Sequence, residues 1–418
     1  MGLKFRLSTL SFLEFFVWGA WLISFGIYAM DGLHFSGGQV GSIFATMGIA
    51  SIFMPALLGI VADKWIQAQK LLGICHLVGA ALLVWASTQH AYMGLYVAMF
   101  LYVLVYMPTI ALHNSVMFGV LAQNGKDVVK SFSPLRVWGT VGFIVAMWVS
   151  DLTGFKYSEA QLLFAATMSL VLGVYSFTLP AQPVNRSKEK KSLIEAMGLS
   201  AFTLFKKKEM AIFFIFALLL GAALQITNTF GGPFLTSFKH AYPDSFVVNN
   251  SLMVLSISQV SETLFILAIP FFLKRFGIKI VMLMSMFAWV FRFGLFGLGN
   301  PGAGLWMLLL SMLVYGMAFD FFNISGSLFV NQSVDGRVRS SAQGLFMLMS
   351  NGLGAVIGSY GAGAVVDAFT ENPRTAGELV HWPHIWFIFA AYAMVIGVVF
   401  MFLFKYKHDP TKTVSVQH

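Results

Sequence analysis

The sequence predicts an all-α polytopic membrane protein, with twelve transmembrane helices in two six-helix bundles. Three observations lead there. Of 418 residues, 58% are hydrophobic and only 10% are charged, against roughly 25% charged in an ordinary soluble domain; the mean hydropathy is +0.79. The apolar residues fall in continuous runs of the ~20 residues that a bilayer-spanning helix needs, not in the alternating ~10-residue strands of an outer-membrane barrel. A polar stretch near mid-chain divides those runs six and six. Most cytosolic and secreted enzymes are excluded on composition alone.

The spans are expected at 8–30, 38–61, 70–87, 91–114, 132–151, 161–180, 209–231, 247–273, 278–298, 302–327, 340–366 and 383–404. The first follows Lys4 and Arg6 but is too long for a signal peptide. Its Trp18-Gly19-Ala20-Trp21 is no small-residue cleavage site, so it reads as a retained helix. The domain plan is an N-terminal bundle (1–180), a cytoplasmic linker (181–208), a C-terminal bundle (209–404) and a cytoplasmic tail (405–418). Within the linker, 191–205 reads either as an interfacial amphipathic helix or as a flexible connection. In the helical reading Leu193, Ile194, Met197, Ala201, Leu204 and Phe205 share a face.

Cations orient the chain. With the N-terminus inside, cytoplasmic segments hold 21 of the 26 Lys and Arg, seven of them in the central linker. The outside loops hold Lys156, Lys239 and Arg374, and only Arg136 and Arg292 fall inside spans. The positive-inside rule puts both termini in the cytoplasm. The net charge of +9 is therefore a topology signal. It argues against nucleic acid as a partner and for contact with anionic membrane lipids. The single Cys75 forms no intrachain disulfide and reads as a small buried apolar residue.

A charge at the bilayer centre costs at least ~2.5–3.5 kcal/mol, so intramembrane polar groups need a reason. The ionisable ones are Glu14, Arg136, Glu262, Arg292 and Asp320; the strongly polar ones are Gln225, Asn228, Gln259, Asn323 and Asn351. Gln225 and Asn228, Gln259 and Glu262, and Asp320 and Asn323 are each three apart and so share a helix face. Tyr315 and Phe319 lie one turn apart, and Arg136, Thr140 and Phe143 fall at i, i+4 and i+7. Such stripes face a bundle interior. They serve either interhelical hydrogen bonding, at ~0.6 kcal/mol per bond, or a ligand with an amide-like edge and hydroxyls, such as a base with a sugar. Phe143, Tyr315 and Phe319 offer stacking surfaces. The carboxyls of Glu262 and Asp320, with Arg136 as partner, suit either proton loading and release or a fixed ion pair. Arg292, in Trp289-Val-Phe-Arg-Phe, suits a structural or gating pair.

Other chemistries find no support. His76, His113 and His384 have no second ligand at metal spacing. Phosphate-binding loops, a dinucleotide fingerprint and a nucleophile elbow are missing, and no polar stretch is long enough for an ATPase domain. No cofactor and no metal is expected, and the chain is not expected to be an enzyme.

The connections after spans two and eight, Gly59-Ile-Val-Ala-Asp63-Lys64 and Lys274-Arg-Phe-Gly277-Ile-Lys279, resemble the paired loop motif of the major facilitator superfamily. Longer motifs narrow this. Phe53-Met-Pro-Ala-Leu-Leu-Gly-Ile-Val-Ala-Asp-Lys64, Arg136-Val-Trp-Gly-Thr140-Val-Gly-Phe143 and Leu224-Gln225-Ile-Thr-Asn228 resemble the bacterial nucleoside:proton symporters of that superfamily. So do Ser258-Gln259-Val-Ser-Glu262-Thr, Asp320-Phe-Phe-Asn323-Ile-Ser-Gly-Ser and Ser341-Ala-Gln-Gly. The resemblance implies proton-driven uptake of purine and pyrimidine nucleosides across the inner membrane, by a monomer whose two bundles rock about a central site. It implies substrate contacts from Arg136, Thr140 and Phe143 in the first half, and from Gln225, Asn228, Gln259, Glu262, Tyr315 and Phe319 in the second. Proton coupling then falls to Glu262, Asp320 and Arg136. Two positions depart from the family pattern: Glu14 where Gln is usual, and Gly232 where Asn is usual. The alternative is a proton-coupled carrier of the same superfamily for sugars or other small polar metabolites.

Overall fold

With no water to satisfy backbone groups inside a bilayer, apolar runs of this kind must close their hydrogen bonds within themselves. Among the described residues the computed structural model is helical, with one isolated bridge between Thr370 and Val380. It describes residues 2–182, 199–336, 338–371 and 380–406. The helices are α1 (Leu3–Gly19), α2 (Gly37–Lys64), α3 (Ala68–Ser87), α4 (Tyr92–Gln123), α5 (Val128–Leu152) and α6 (Ala160–Ser176). After them come α7 (Lys208–Thr236), α8 (Ser251–Leu298), α9 (Leu305–Ser333), α10 (Arg339–Met347), α11 (Ala355–Ala368) and α12 (Trp382–Leu403). Among the described residues nine helices are long and apolar enough to cross a membrane, and α6 is a shorter apolar helix. The protein is thus a multi-pass membrane protein.

The chain divides into two compact units. One holds the residues up to Phe35 and those from Ser42 to the end of the first described stretch; the other holds Ser36–Gly41 and everything from Leu199 on. In the first, α1 packs on α5 and α6, and α3 lies between α4 and α6. In the second, α8 packs on α9 and α12, and α7 packs on α11 and the turn before it.

Several elements differ from the sequence expectation. The run 8–30 is not one helix: α1 ends at Gly19, and a short turn, Phe25–Ile27, leads into a π-helical turn, Tyr28–Gly32. Side chains compensate at the break. Ser150 donates to the Ala20 carbonyl at 3.2 Å and Ser24 donates to Gln161 Oε1 at 2.7 Å. The fourth span runs on to Gln123 because Val116, Met117, Val120 and Leu121 continue the buried face past the polar His113-Asn114 pair. Gly59 to Lys64 belong to the end of α2 rather than to a loop. Spans eight and nine form one run, broken only at Gly277. Its φ of 77° and ψ of 167° are open to glycine and strained for any other residue. Lys156, counted among the loop cations, is buried and paired with Asp151. Of the helix weighed for 191–205, residues Leu199–Lys206 form a 3-10 helix and 191–198 lie outside the described residues. Arg186, Lys188, Lys190, Lys191, Arg337, Arg374, Lys407 and Lys412 lie outside them too.

Candidate functional site

In the first unit the site is carried by α5 and shaped by α1. The two helices approach so closely that only glycine fits between them: a Cβ on Gly142 would sit 2.2 Å from the Phe12 carbonyl oxygen, and one on Gly19 2.5 Å from that of Phe143. This contact brings Arg136 over the Phe15 ring, with the guanidinium carbon 3.6 Å from the ring centroid. Phe143 is buried and meets Trp18 edge-on at 6.3 Å. Thr140 lies between Arg136 and Phe143 on the same face, half-buried like Arg136. Trp18 also packs on Phe15 and Tyr106, and its indole Nε1 is buried with no hydrogen-bond partner among the described residues. Sequence reasoning passed over Trp18, because one Trp in an aromatic-rich chain carries no signal by itself.

Deeper in the same unit lies a second polar group that spacing along one helix does not reveal. Glu14 accepts from the Thr109 hydroxyl at 2.7 Å, and its other carboxyl oxygen is 2.9 Å from His76 Nε2. His113, likewise read as without function, hydrogen-bonds Ser11 at 2.9 Å.

In the second unit Tyr315 and Phe319, one turn apart on α9, stack with centroids 6.1 Å apart and planes 12° from parallel. Trp289 closes the Tyr315 edge at 6.0 Å. α8 lies against this stretch of α9: Gly316 N–H donates to Ser261 Oγ at 3.3 Å, and a Cβ at Gly316 would meet the Ser261 carbonyl at 2.5 Å. The contact sets Gln259 in hydrogen-bonding reach of Tyr315, and Glu262 in electrostatic reach of both Tyr315 and Asp320. Asp320 is buried, and its Oδ2 has no hydrogen-bond partner among the described residues. α7 joins through Leu224, which with Phe319, Asn323 and Asn351 lines a small cavity. Asn351 sits there because Leu348–Gly354 form a π-helical turn, a local widening common at functional sites. The neighbouring Gln225 is half-buried, with no hydrogen-bond partner for its Oε1 among the described residues, and Asn228 is half-buried one turn on. The cavity wall itself does not include Gln225, Asn228, Gln259 or Glu262.

Arg292, suited on sequence to a structural or gating pair, meets the Ser311 carbonyl at 2.8 Å, the Ser258 hydroxyl at 3.4 Å, and the faces of Tyr315 and Phe296 at 4.5 and 5.1 Å. A cation on the Tyr315 face makes it a positioning residue for the ring stack.

Each unit therefore offers aromatic faces with hydroxyl or ionisable groups, and the second adds amides; several of these polar atoms have no hydrogen-bond partner among the described residues. In membrane helices such groups mark substrate and ion paths. Known proteins share this chain almost throughout. It is 51% identical to the xanthosine permease of Escherichia coli K12 over 415 residues, covering 99% of this chain and 98% of that protein. It is 48% identical to the nucleoside permease NupG of the same organism over 423 aligned positions, covering all of both. A crystal structure of the nucleoside transporter NupG carrying an aspartate-to-alanine substitution superposes with a TM-score of 0.93 at 47% identity, covering 97% of this chain and all of that one. These relatives are transporters of the major facilitator fold, not enzymes. The family model described as Nucleoside H+ symporter matches residues 1–409, and the chain belongs to that family.

Proposed function

We propose that this protein is a nucleoside:proton symporter of the bacterial inner membrane, importing purine and pyrimidine nucleosides by alternating access. The observation that carries the reading is in the second unit: it holds a parallel Tyr315–Phe319 stack, and a Gln225 amide oxygen and an Asp320 carboxyl oxygen that have no hydrogen-bond partner among the described residues. A nucleobase presents a π-face to such a stack and N–H donors to such an amide. Gln225, Asn228, Gln259 and Glu262 take the polar edges of base and ribose, and Arg136, Thr140 and Phe143 hold the substrate from the first unit. A proton on Asp320 supplies the donor that its ionised form lacks, which makes this carboxyl the proton carrier; Glu262, in electrostatic reach, tunes it, and Arg136 is the coupling residue of the first unit.

The chain crosses the bilayer twelve times on this reading, with α1, α6 and the two arms of α8 each counted as a span. Both termini face the cytoplasm, as the cation distribution supports. The bundles are 1–180 and 209–404, joined by the linker 181–208 and followed by the tail 405–418. The chain acts as a monomer in contact with membrane lipids. Counterflow in proteoliposomes with labelled uridine, cytidine, adenosine and xanthosine, against lactose, tests the proposal. Saturable nucleoside exchange stimulated by an inward proton gradient is expected. Saturable lactose uptake without nucleoside uptake would overturn it in favour of a sugar carrier.

A further inference from the structure

We propose that Glu14, His76, Thr109 and Ser169 form a second proton-binding site, inside the first unit and separate from Asp320. Glu14 and His76 are 0% and 1% exposed, from α1 and α3. His76 Nε2 lies 2.9 Å from Glu14 Oε2, and its Nδ1 lies 3.0 Å from Ser169 Oγ. Ser169 donates to the His76 backbone carbonyl at 2.9 Å. A hydroxyl has one proton to give, so Ser169 must accept from Nδ1–H. The protonation of the pair follows. With Nδ1 protonated, the bond between Nε2 and Oε2 holds one proton, on the carboxyl or on the ring.

The other carboxyl oxygen makes a further proton possible. Thr109 Oγ1 faces both Glu14 Oε1, at 2.7 Å, and the Tyr106 carbonyl, at 2.5 Å. Its single hydroxyl proton satisfies one of them at a time. When it donates to Glu14, Oε1 is bare and the pair is neutral overall. When it turns to the Tyr106 carbonyl, it can accept a proton placed on Oε1, giving a protonated carboxyl beside an imidazolium. The site binds one added proton and gains one positive charge; the bond from Thr109 to the Tyr106 carbonyl is made when that proton is bound and given up when Thr109 donates to Glu14. No covalent bond breaks except that to the proton's donor. A structural pair with a single satisfied state would lack this second arrangement.

The surroundings link the site to the candidate substrate face. From α3, Cys75 lies in electrostatic reach of Glu14; from α4, Tyr102, Tyr106 and His113 do. Arg136 on α5 reaches Tyr106 and His113, and α6 contributes the Ser169 hydroxyl. Phe15, next to Glu14, lies under the Arg136 guanidinium. Protonating the site therefore adds positive charge on the Arg136 side of the first unit, so proton and substrate binding there are coupled.

The link to transport rests on the symporter reading; proton binding itself does not. The test is an infrared-detected pH titration of the full chain in lipid nanodiscs without nucleoside, beside nucleoside affinity measured across pH. Glu14→Gln keeps the bonds to His76 and Thr109 but cannot take up a proton. It is expected to lose one carboxyl titration step and to flatten the affinity profile by up to about tenfold per pH unit, the limit for one proton. Ser169→Ala, which keeps both titratable groups, is expected to displace the same step along the pH axis, and serves if Glu14→Gln does not fold. Titration and affinity profiles unchanged in Glu14→Gln, or a step unmoved in Ser169→Ala, would overturn the proposal. An intact step without nucleoside counterflow in the unsubstituted protein counts against the symporter reading and for the proton site.

Discussion

Replacing Arg292 by Met separates two roles that a buried cation can have. If Arg292 were mainly structural, its loss would unfold the second unit; if it positions Tyr315, its loss should appear in binding. The magnitudes favour the second outcome. Removing the guanidinium forfeits the bond to the Ser311 carbonyl at 2.8 Å, a hydrogen bond from a charged group worth about 1.5–3 kcal/mol. Against this, the substitution relieves the cost of holding a charge in the membrane, at least ~2.5–3.5 kcal/mol. Swapping buried charges for apolar residues of similar volume is often neutral for that reason. The contact with the Tyr315 face at 4.5 Å has no such compensation. A desolvated cation–π contact is worth about 2 kcal/mol, which corresponds to roughly 30-fold in affinity. We therefore expect Arg292→Met to keep its thermal midpoint within a few degrees and to lose about 10- to 30-fold in uridine affinity, read by calorimetry in detergent. Arg292→Lys should retain most of the affinity. In a double-mutant cycle, Arg292→Met should add little on top of Tyr315→Ala, since both act through one ring. Unchanged uridine affinity in Arg292→Met, or full additivity with Tyr315→Ala, would refute the positioning role.

Three further outcomes follow from the same geometry. Asp320→Asn keeps a polar side chain but cannot carry a proton, so uphill accumulation of uridine should disappear while counterflow exchange survives; undiminished accumulation removes Asp320 from the coupling. Gln225→Ala deletes an amide oxygen that has no hydrogen-bond partner among the described residues and should raise the nucleoside Kd by about tenfold, the worth of one good hydrogen bond; an unchanged Kd would leave Gln225 a structural residue. Gly142→Val places a side chain where even a Cβ would lie 2.2 Å from the Phe12 carbonyl. α1 and α5 must then separate, moving Arg136 off Phe15, and both yield of folded protein and transport should fall steeply; wild-type thermal stability would show that the helices are not in close contact.

What the sequence determines here is whatever depends on local composition and period. Bilayer-length apolar runs can only be helices, so fold class and the placing of most spans follow from counting. The three-residue spacing of Gln259 and Glu262, or of Asp320 and Asn323, puts each pair on one face because the helix repeat is local. The same reasoning isolated Arg136, Thr140 and Phe143 on α5. Where it stopped, the cause lay in contacts between distant residues. Glu14 and His76 are 62 positions apart, and neither spacing nor hydropathy announces that they meet. His76 was dismissed for want of a metal partner, although a carboxyl was its partner. For Arg292 the sequence suggests a structural or gating pair without naming its partner, and the structure supplies the Tyr315 ring and the Ser311 carbonyl of α9. The break after Gly19 and the π-helical turn at Asn351 leave no mark in an apolar average, since membrane helices carry glycine freely. Only the tertiary structure decides such matters. A buried polar group must find its partner wherever the packing of neighbouring helices puts one, and that position is set by close contacts such as those at Gly142 and Gly316, not by neighbours along the chain.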